Sequence, residues 1–144
     1  MFPEKLSQQI IDNAPDAILY VDDKGLIQHW NSGSERIFGF PASEAIGQSL
    51  DLIIPEKLRE RHWDGYFKTM SSGQSKYGTD LLSVPSSHRD GQRLSIDFSI
   101  VMLKNSQGGV VGIAAIMRDM SDQRQKEKEM KEKVAALEEQ CGGK

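Results

Sequence analysis

The sequence predicts an α+β domain built on an antiparallel sheet, and three observations predict it. Two β-prone runs near the start are joined by a Gly-containing turn, and three more occupy the second half of the chain. Between the two groups lies a series of short helical segments punctuated by Pro and Gly. One late run alternates strictly, Leu94, Ile96, Phe98 and Ile100 against Arg93, Ser95, Asp97 and Ser99, which is the period of a strand with one buried face. Strands segregated around a helical cluster give the α+β layering.

Composition agrees. A chain of 144 residues, 38% hydrophobic and 27% charged, can bury one core without staples. Its formal net charge is -3 and its basic residues are interspersed with acids, so a nucleic-acid partner is not expected. There is no apolar run of about 18 residues, and the opening MFPEKLSQQI lacks the basic-then-apolar order of a signal peptide. No membrane partner and a cytoplasmic location are the expectations. The single cysteine, Cys141, excludes an intrachain disulfide and a Cys-rich metal site.

Taken in order, residues 4–14 place Leu6, Ile10 and Ile11 on one helical face before Pro15 stops the segment. AILYVDDKGLIQHWN then reads as a hairpin with strands near 17–22 and 25–30 around Asp-Asp-Lys-Gly. Asn31 caps a short helix that presents Ile37 and Phe38 and stops at Gly39. PASEAIGQSL makes another, started by Pro41 or Ser43 and ended by Gly47. After Pro55 a longer helix runs to Gly73, and Gly65 inside it costs roughly 1 kcal/mol relative to Ala, so it needs close packing or is simply tolerated. YGTDLLSVPSS, RLSIDFSIVML and VVGIAAIM are the last three strands, separated by His-Arg-Asp-Gly and NSQGG turns. From Met120 to Gln140 the chain is one Lys/Glu/Gln-rich helix. Its heptad register puts Met120, Glu127, Val134 and Cys141 at one core position and Gln123, Met130 and Leu137 at the other. Two polar residues in that seam leave a solvated helix and a weak coiled coil both open.

DAILYVDDKGLIQHWNSGSERIFGFPASEAIGQSL, HRDGQRLSIDFSI and GVVGIAAIMRDMS together resemble the PAS (S-box) family. The resemblance implies a five-stranded antiparallel sheet in the order 2-1-5-4-3, short helices over one face, and a C-terminal exit helix. It divides the chain into a lead-in helix (1–8), the PAS domain (9–119), a signalling or coiled-coil helix (120–140) and a tail (141–144). It also implies that signals leave through the junction at Asp119, Met120 and Ser121, where Asp119 and Ser121 can cap the exit helix.

PAS domains bind haem, flavins, other small molecules or nothing, so the pocket residues must decide. The flavin and chromophore-linked photosensors of the family use a cysteine within the domain, and this domain has none. The closer likeness is to the haem-PAS oxygen-sensor input domains of bacterial sensor kinases. It places His62 at the proximal haem ligand, with Leu58 and Tyr66 one turn to either side, and Leu82, Phe98 and Ile100 on the distal wall. The chain departs from those sensors where Leu82 replaces an arginine that binds oxygen and Thr79 replaces a methionine sixth ligand. Trp63, Phe67 and Met70 form a competing stripe about 100° round the same helix, a pattern that core packing or a dimer contact explains. His29 is expected on the strand surface and His88 in solvent, and no second histidine completes a protein-only metal site.

No nucleophile elbow, P-loop or His-Glu-x-x-His occurs, so the chain is not expected to be an enzyme. Two functions remain: a ligand-binding sensor, with haem on His62 or another small molecule, and a ligand-free dimerisation or protein-interaction adaptor. The partners expected are a second copy through the flanking helices and a sensor kinase or response regulator.

Overall fold

A computed structural model describes residues 4–74 and 80–142. Helix α1 (Glu4–Asn13) leads into strands β1 (Ala17–Asp22) and β2 (Ile27–Trp30). Helices α2 (Ser32–Phe38) and α3 (Ala42–Ala45), two 3₁₀ turns (Leu50–Ile53 and Glu56–Leu58) and helix α4 (Arg59–Ser72) follow. Strands β3 (Leu82–Ser87), β4 (Arg93–Lys104) and β5 (Val110–Asp119) and helix α5 (Ser121–Gly142) complete the order. The strands form one five-stranded sheet in the order β2-β1-β5-β4-β3, every pair antiparallel, as the resemblance implied.

Register sorts the side chains into two faces, because residues directly opposite one another share a face. Across the sheet Leu82 lies opposite Phe98, Phe98 opposite Met117 and Met117 opposite Ala17; next to them run Ile100, Ala115 and Leu19, and then Met102, Ile113 and Val21. This inner face packs with Ile27, Trp30, Phe38, Ala45, Leu50, Ile53 and Ile54 into one core. Phe38, Leu19, Ile27 and Ile96 are its largest fully buried side chains, each contributing about 1.5–3 kcal/mol by leaving water.

Local chemistry sets the element ends. The Asp22 carboxylate accepts from the Lys24 and Leu26 amides at 2.9 Å each, which closes the first hairpin. Leu26 stays bonded to Asp22 and forms an isolated bridge to Ser49, and β2 begins at Ile27, two residues later than expected. Asn31 does more than cap α2. Its side-chain oxygen accepts from the amides of Ser34 and Ile18 at 2.9 Å, and its amide group donates to the carbonyls of Ile11 (2.7 Å) and Asp16 (3.0 Å). One buried side chain thereby ties α1, β1 and α2 together, with every polar atom satisfied.

The long helix expected after Pro55 starts with a 3₁₀ turn, because the Leu58 amide bonds the Pro55 carbonyl (2.8 Å), and the α-helical ladder begins only at Arg59. Helix α3 likewise stops at Ala45, ahead of Gly47. Close packing at Gly65 is not found: a Cβ there would meet nothing within 4 Å. Gly33, by contrast, lies so close to β1 that a Cβ would be 2.1 Å from the Asp16 carbonyl oxygen.

Candidate functional site

Helix α4 lies over the end of the β1–β2 hairpin, held there by two side chains. The buried Tyr66 hydroxyl sits on the carbonyl oxygens of Val21 (3.2 Å) and Asp22. The Trp63 indole N–H donates to the Asp51 carboxylate at 2.8 Å, and the far edge of its ring covers Gly25, where a Cβ would lie 2.6 Å from the ring. His62 lies beside this pair, its ring 4.5 Å from Trp63 edge-on and 6.0 Å from Tyr66 in a stacked arrangement.

The two stripes the sequence offered on α4 share the inward side, with Tyr66 buried from one and Trp63 and Met70 packed on the core from the other. Leu58, Trp63 and Met70 are half-buried against the core, and His62 is half-buried. Phe67 is 47% exposed and stacks on the outer side of Trp63, so Trp63, Phe67 and Met70 do not act as one face. Leu58 belongs to the preceding 3₁₀ turn rather than to the α-helix that carries His62.

The His62 Nδ1 is buried and has no hydrogen-bond partner among the described residues. Such an atom costs about 1–3 kcal/mol and asks for an explanation. Burial pushes the imidazole below its ordinary pKa, against an opposing pull from the Asp51 carboxylate. The ring is thereby kept neutral, which is the form that ligates a metal.

Leu82, Phe98 and Ile100 form one wall: Leu82 is opposite Phe98 in the ladder, and Ile100 is two residues further along the same face of β4. The cover over this face is uneven. Leu94 and Ile96 are buried, whereas Leu82, Phe98, Ile100 and Met102 remain half-buried. The half-covered apolar wall on β3 and β4 and the neutral imidazole on α4 are the residues that would hold a flat, apolar group bound through one nitrogen, as haem is. Thr79 lies outside the described residues.

The other histidines are structural. Alternation buries Trp30 and turns His29 to the opposite face, but His29 is half-buried rather than on the surface, and its Nε2, like the His62 Nδ1, is buried without a hydrogen-bond partner among the described residues, 3.4 Å from the Asp12 carboxylate on α1. His88 departs from expectation: its side chain is only 27% exposed, it packs against Gly39, and its Nδ1 accepts from the Asp90 amide at 3.1 Å. The missing Cβ of Gly39 leaves room that the ring fills. Among the described residues, no group of three or more His, Cys, Asp or Glu side chains could hold a metal ion.

The exit junction is a second built feature. The Asp119 carboxylate accepts from the Ser121 amide (2.9 Å) and hydroxyl (2.5 Å), and the Ser121 hydroxyl accepts from the Ser95 amide on β4 (3.0 Å). The Met120 amide returns to the Ser95 carbonyl at 2.8 Å. One turn on, Arg124 donates to Asp97 on β4 (2.6 Å) and Ser83 on β3 (3.2 Å). The strict alternation of β4 already placed Asp97 on the polar face, and the three-residue step from Ser121 put Arg124 on the same side of the helix. Their pairing needed the β3–β4 register, which the sequence does not carry. The Trp63–Asp51 bond was missed because it depends on how α4 packs on the Leu50–Ile53 turn.

Comparison with known proteins agrees with this architecture. The chain is 29% identical over 131 residues to the sensor protein FixL of Bradyrhizobium diazoefficiens, covering 90% of this chain and 25% of that protein. It is 22% identical over 139 residues to the oxygen sensor protein DosP of Escherichia coli, covering 88% and 17%. A solved PAS domain of a protein from Colwellia psychrerythraea superposes with a TM-score of 0.72 at 25% identity, over 82% of this chain and 97% of that one. The chain thus spans a quarter or less of the length of these curated relatives. No described helix is long and apolar enough to cross a membrane. The family model described as the PAS fold matches residues 5–120, and the chain belongs to the PAS family.

Proposed function

We propose that this PAS domain is a sensory input module that binds haem through His62 and hands the state of the haem to its exit helix. The observation that carries the reading is the His62 imidazole, half-buried beside Trp63 and Tyr66 with its Nδ1 buried and without a partner. A ring already desolvated and neutral loses little on meeting iron, whereas a solvated histidine would first have to shed water and its proton. Leu82, Phe98 and Ile100 supply an apolar wall that keeps water from the bound group, and Tyr66 holds α4 at a fixed height over β1. Haem, when bound, would supply an iron able to take a diatomic gas or change redox state. The similarity to a protein named as an oxygen sensor supports the gas. Leu82, an apolar residue where the haem-PAS sensors carry an arginine, offers bound oxygen no hydrogen bond. The downstream partner on this reading is a sensor kinase or response regulator in the cytoplasm.

Titration of the purified chain with haem tests the reading. The expected result is a saturable Soret band at one haem per chain, sensitive to reduction and carbon monoxide, that His62→Ala abolishes while the far-ultraviolet dichroism stays native. A weak band that His62→Ala leaves unchanged removes haem from the account.

A second reading has its own observation. Met130, Val134 and Leu137 are 61%, 46% and 60% exposed on α5, a strip of large apolar side chains that the domain does not cover. A ligand-free adaptor that pairs with a second copy through this strip is the alternative function, and the two readings are compatible if the dimer is the sensor.

A further inference from the structure

Helix α5 emerges from β5, and beyond the Asp119–Ser121 cap its side-chain bonds to the sheet go to β4 and β3. Among the described residues, only Ser121 and Arg124 of this helix hydrogen-bond to the sheet through their side chains: Ser121 bonds Asp119 at the end of β5 and Ser95 on β4, and Arg124 reaches Asp97 on β4 and Ser83 on β3. From Asp122 onward the helix is exposed. Its direction is therefore set by the sheet positions that Ser95, Asp97 and Ser83 occupy.

Those positions are the outer side of the candidate ligand wall. Ser83 lies opposite Asp97 in the β3–β4 ladder, and the adjacent pair is Leu82 opposite Phe98. Because strand side chains alternate, one pair faces the half-covered inner space and the next faces Arg124. The outer pair is tightly built: the Ser83 hydroxyl donates to the Asp97 carboxylate at 2.6 Å, and the same carboxylate oxygen receives Arg124 at 2.6 Å, with the Asp97 side chain only 13% exposed. A twist or a shift of β3 on β4 that makes room between Leu82 and Phe98 must move Ser83 against Asp97, and with them the Arg124 anchor.

We propose that Arg124, gripping Asp97 and Ser83, is the latch that couples occupancy of the inner face to the exit helix. The proposal rests on reading the Leu82, Phe98 and Ile100 wall as the ligand site. It does not require that the ligand be haem.

The test uses hydrogen exchange of the α5 amides between residues 122 and 128 in the full chain, with melting curves to verify folding. Arg124→Ala should raise their exchange roughly fivefold, the worth of a partly exposed charge pair, and Asp97→Asn should act in the same direction. Phe98→Trp places a larger ring in the half-covered space and stands in for an occupant. It should shift α5 exchange in the Arg124 chain and have no effect on it in the Arg124→Ala chain, a double-mutant cycle with a non-zero coupling. Leu82→Phe repeats the cycle from the opposite strand in case Phe98→Trp does not fold. Equal shifts with and without Arg124, or no shift in either, overturn the latch. Because no haem is added, a failed haem titration and a failed latch give different results.

Discussion

At the scale of single residues, two helical glycines make opposite demands. Gly65 on α4 is exposed with open space where a Cβ would go, so Gly65→Ala should stabilise the fold by about 0.5–1 kcal/mol through helix propensity and a less flexible unfolded chain. Gly33 on α2 is buried, and its missing Cβ is filled by the Asp16 carbonyl oxygen. Gly33→Ala should cost about 1–3 kcal/mol as the helix is pushed off β1. Urea denaturation of the two variants checks both signs, and a stabilised Gly33→Ala would show that α2 is free to move. Helix propensity by itself does not distinguish the two glycines, because propensity knows nothing of what lies opposite a residue. His62 illustrates the same limit. Its place on a helix was legible, but its unpartnered nitrogen and the Asp51 carboxylate that acts on it come from elements distant in sequence.

At the scale of elements, α5 is the least supported part of the molecule. Its first turn is bolted to β4 and β3, and beyond it Met130, Val134 and Leu137 face solvent. An isolated helix with this charge pattern is marginal in water, so a partner strip would supply much of its stability. Sedimentation equilibrium at tens of micromolar should give a dimer for the wild type and a monomer for the triple substitution of Met130, Val134 and Leu137 to Ser. The melting of the PAS domain should hardly change, since those side chains do not touch it. A wild type that stays monomeric throughout the range eliminates the α5 interface. The strands, helix caps and hairpin turns of the other elements were readable from period and turn chemistry. The 3₁₀ start of α4 and the early end of α3 were not, because helix ends are decided by which carbonyls remain free to accept.

At the scale of the whole molecule, the buried imidazole links stability to pH. The pKa of His62 is lowered in the folded state from its ordinary 6.5, so between that value and the lower folded one the unfolded chain binds more protons. Stability is full above about pH 6.5 and is lost as the pH falls through this window. Thermal melts of the apo-protein should therefore show a lower Tm at pH 5.5 than at pH 7.5, and His62→Gln should shrink that difference. An unchanged difference would mean that the ring is not buried as neutral imidazole in solution.

The sequence by itself determined the α+β class, the alternation that gives β4 a buried face, the capping of α2 by Asn31, and membership of a family whose sheet order the structure reproduces. These features are local or are carried by a long run of matching residues, and local chemistry is written in the order of the chain. Tertiary structure alone decided which residues of α4 pack on the core, that His88 is packed rather than solvated, and that the exit helix is fastened to β4 and β3 as well as to the strand it leaves. Each of those depends on a contact between residues far apart in sequence, whose partner is chosen only when the sheet register is fixed.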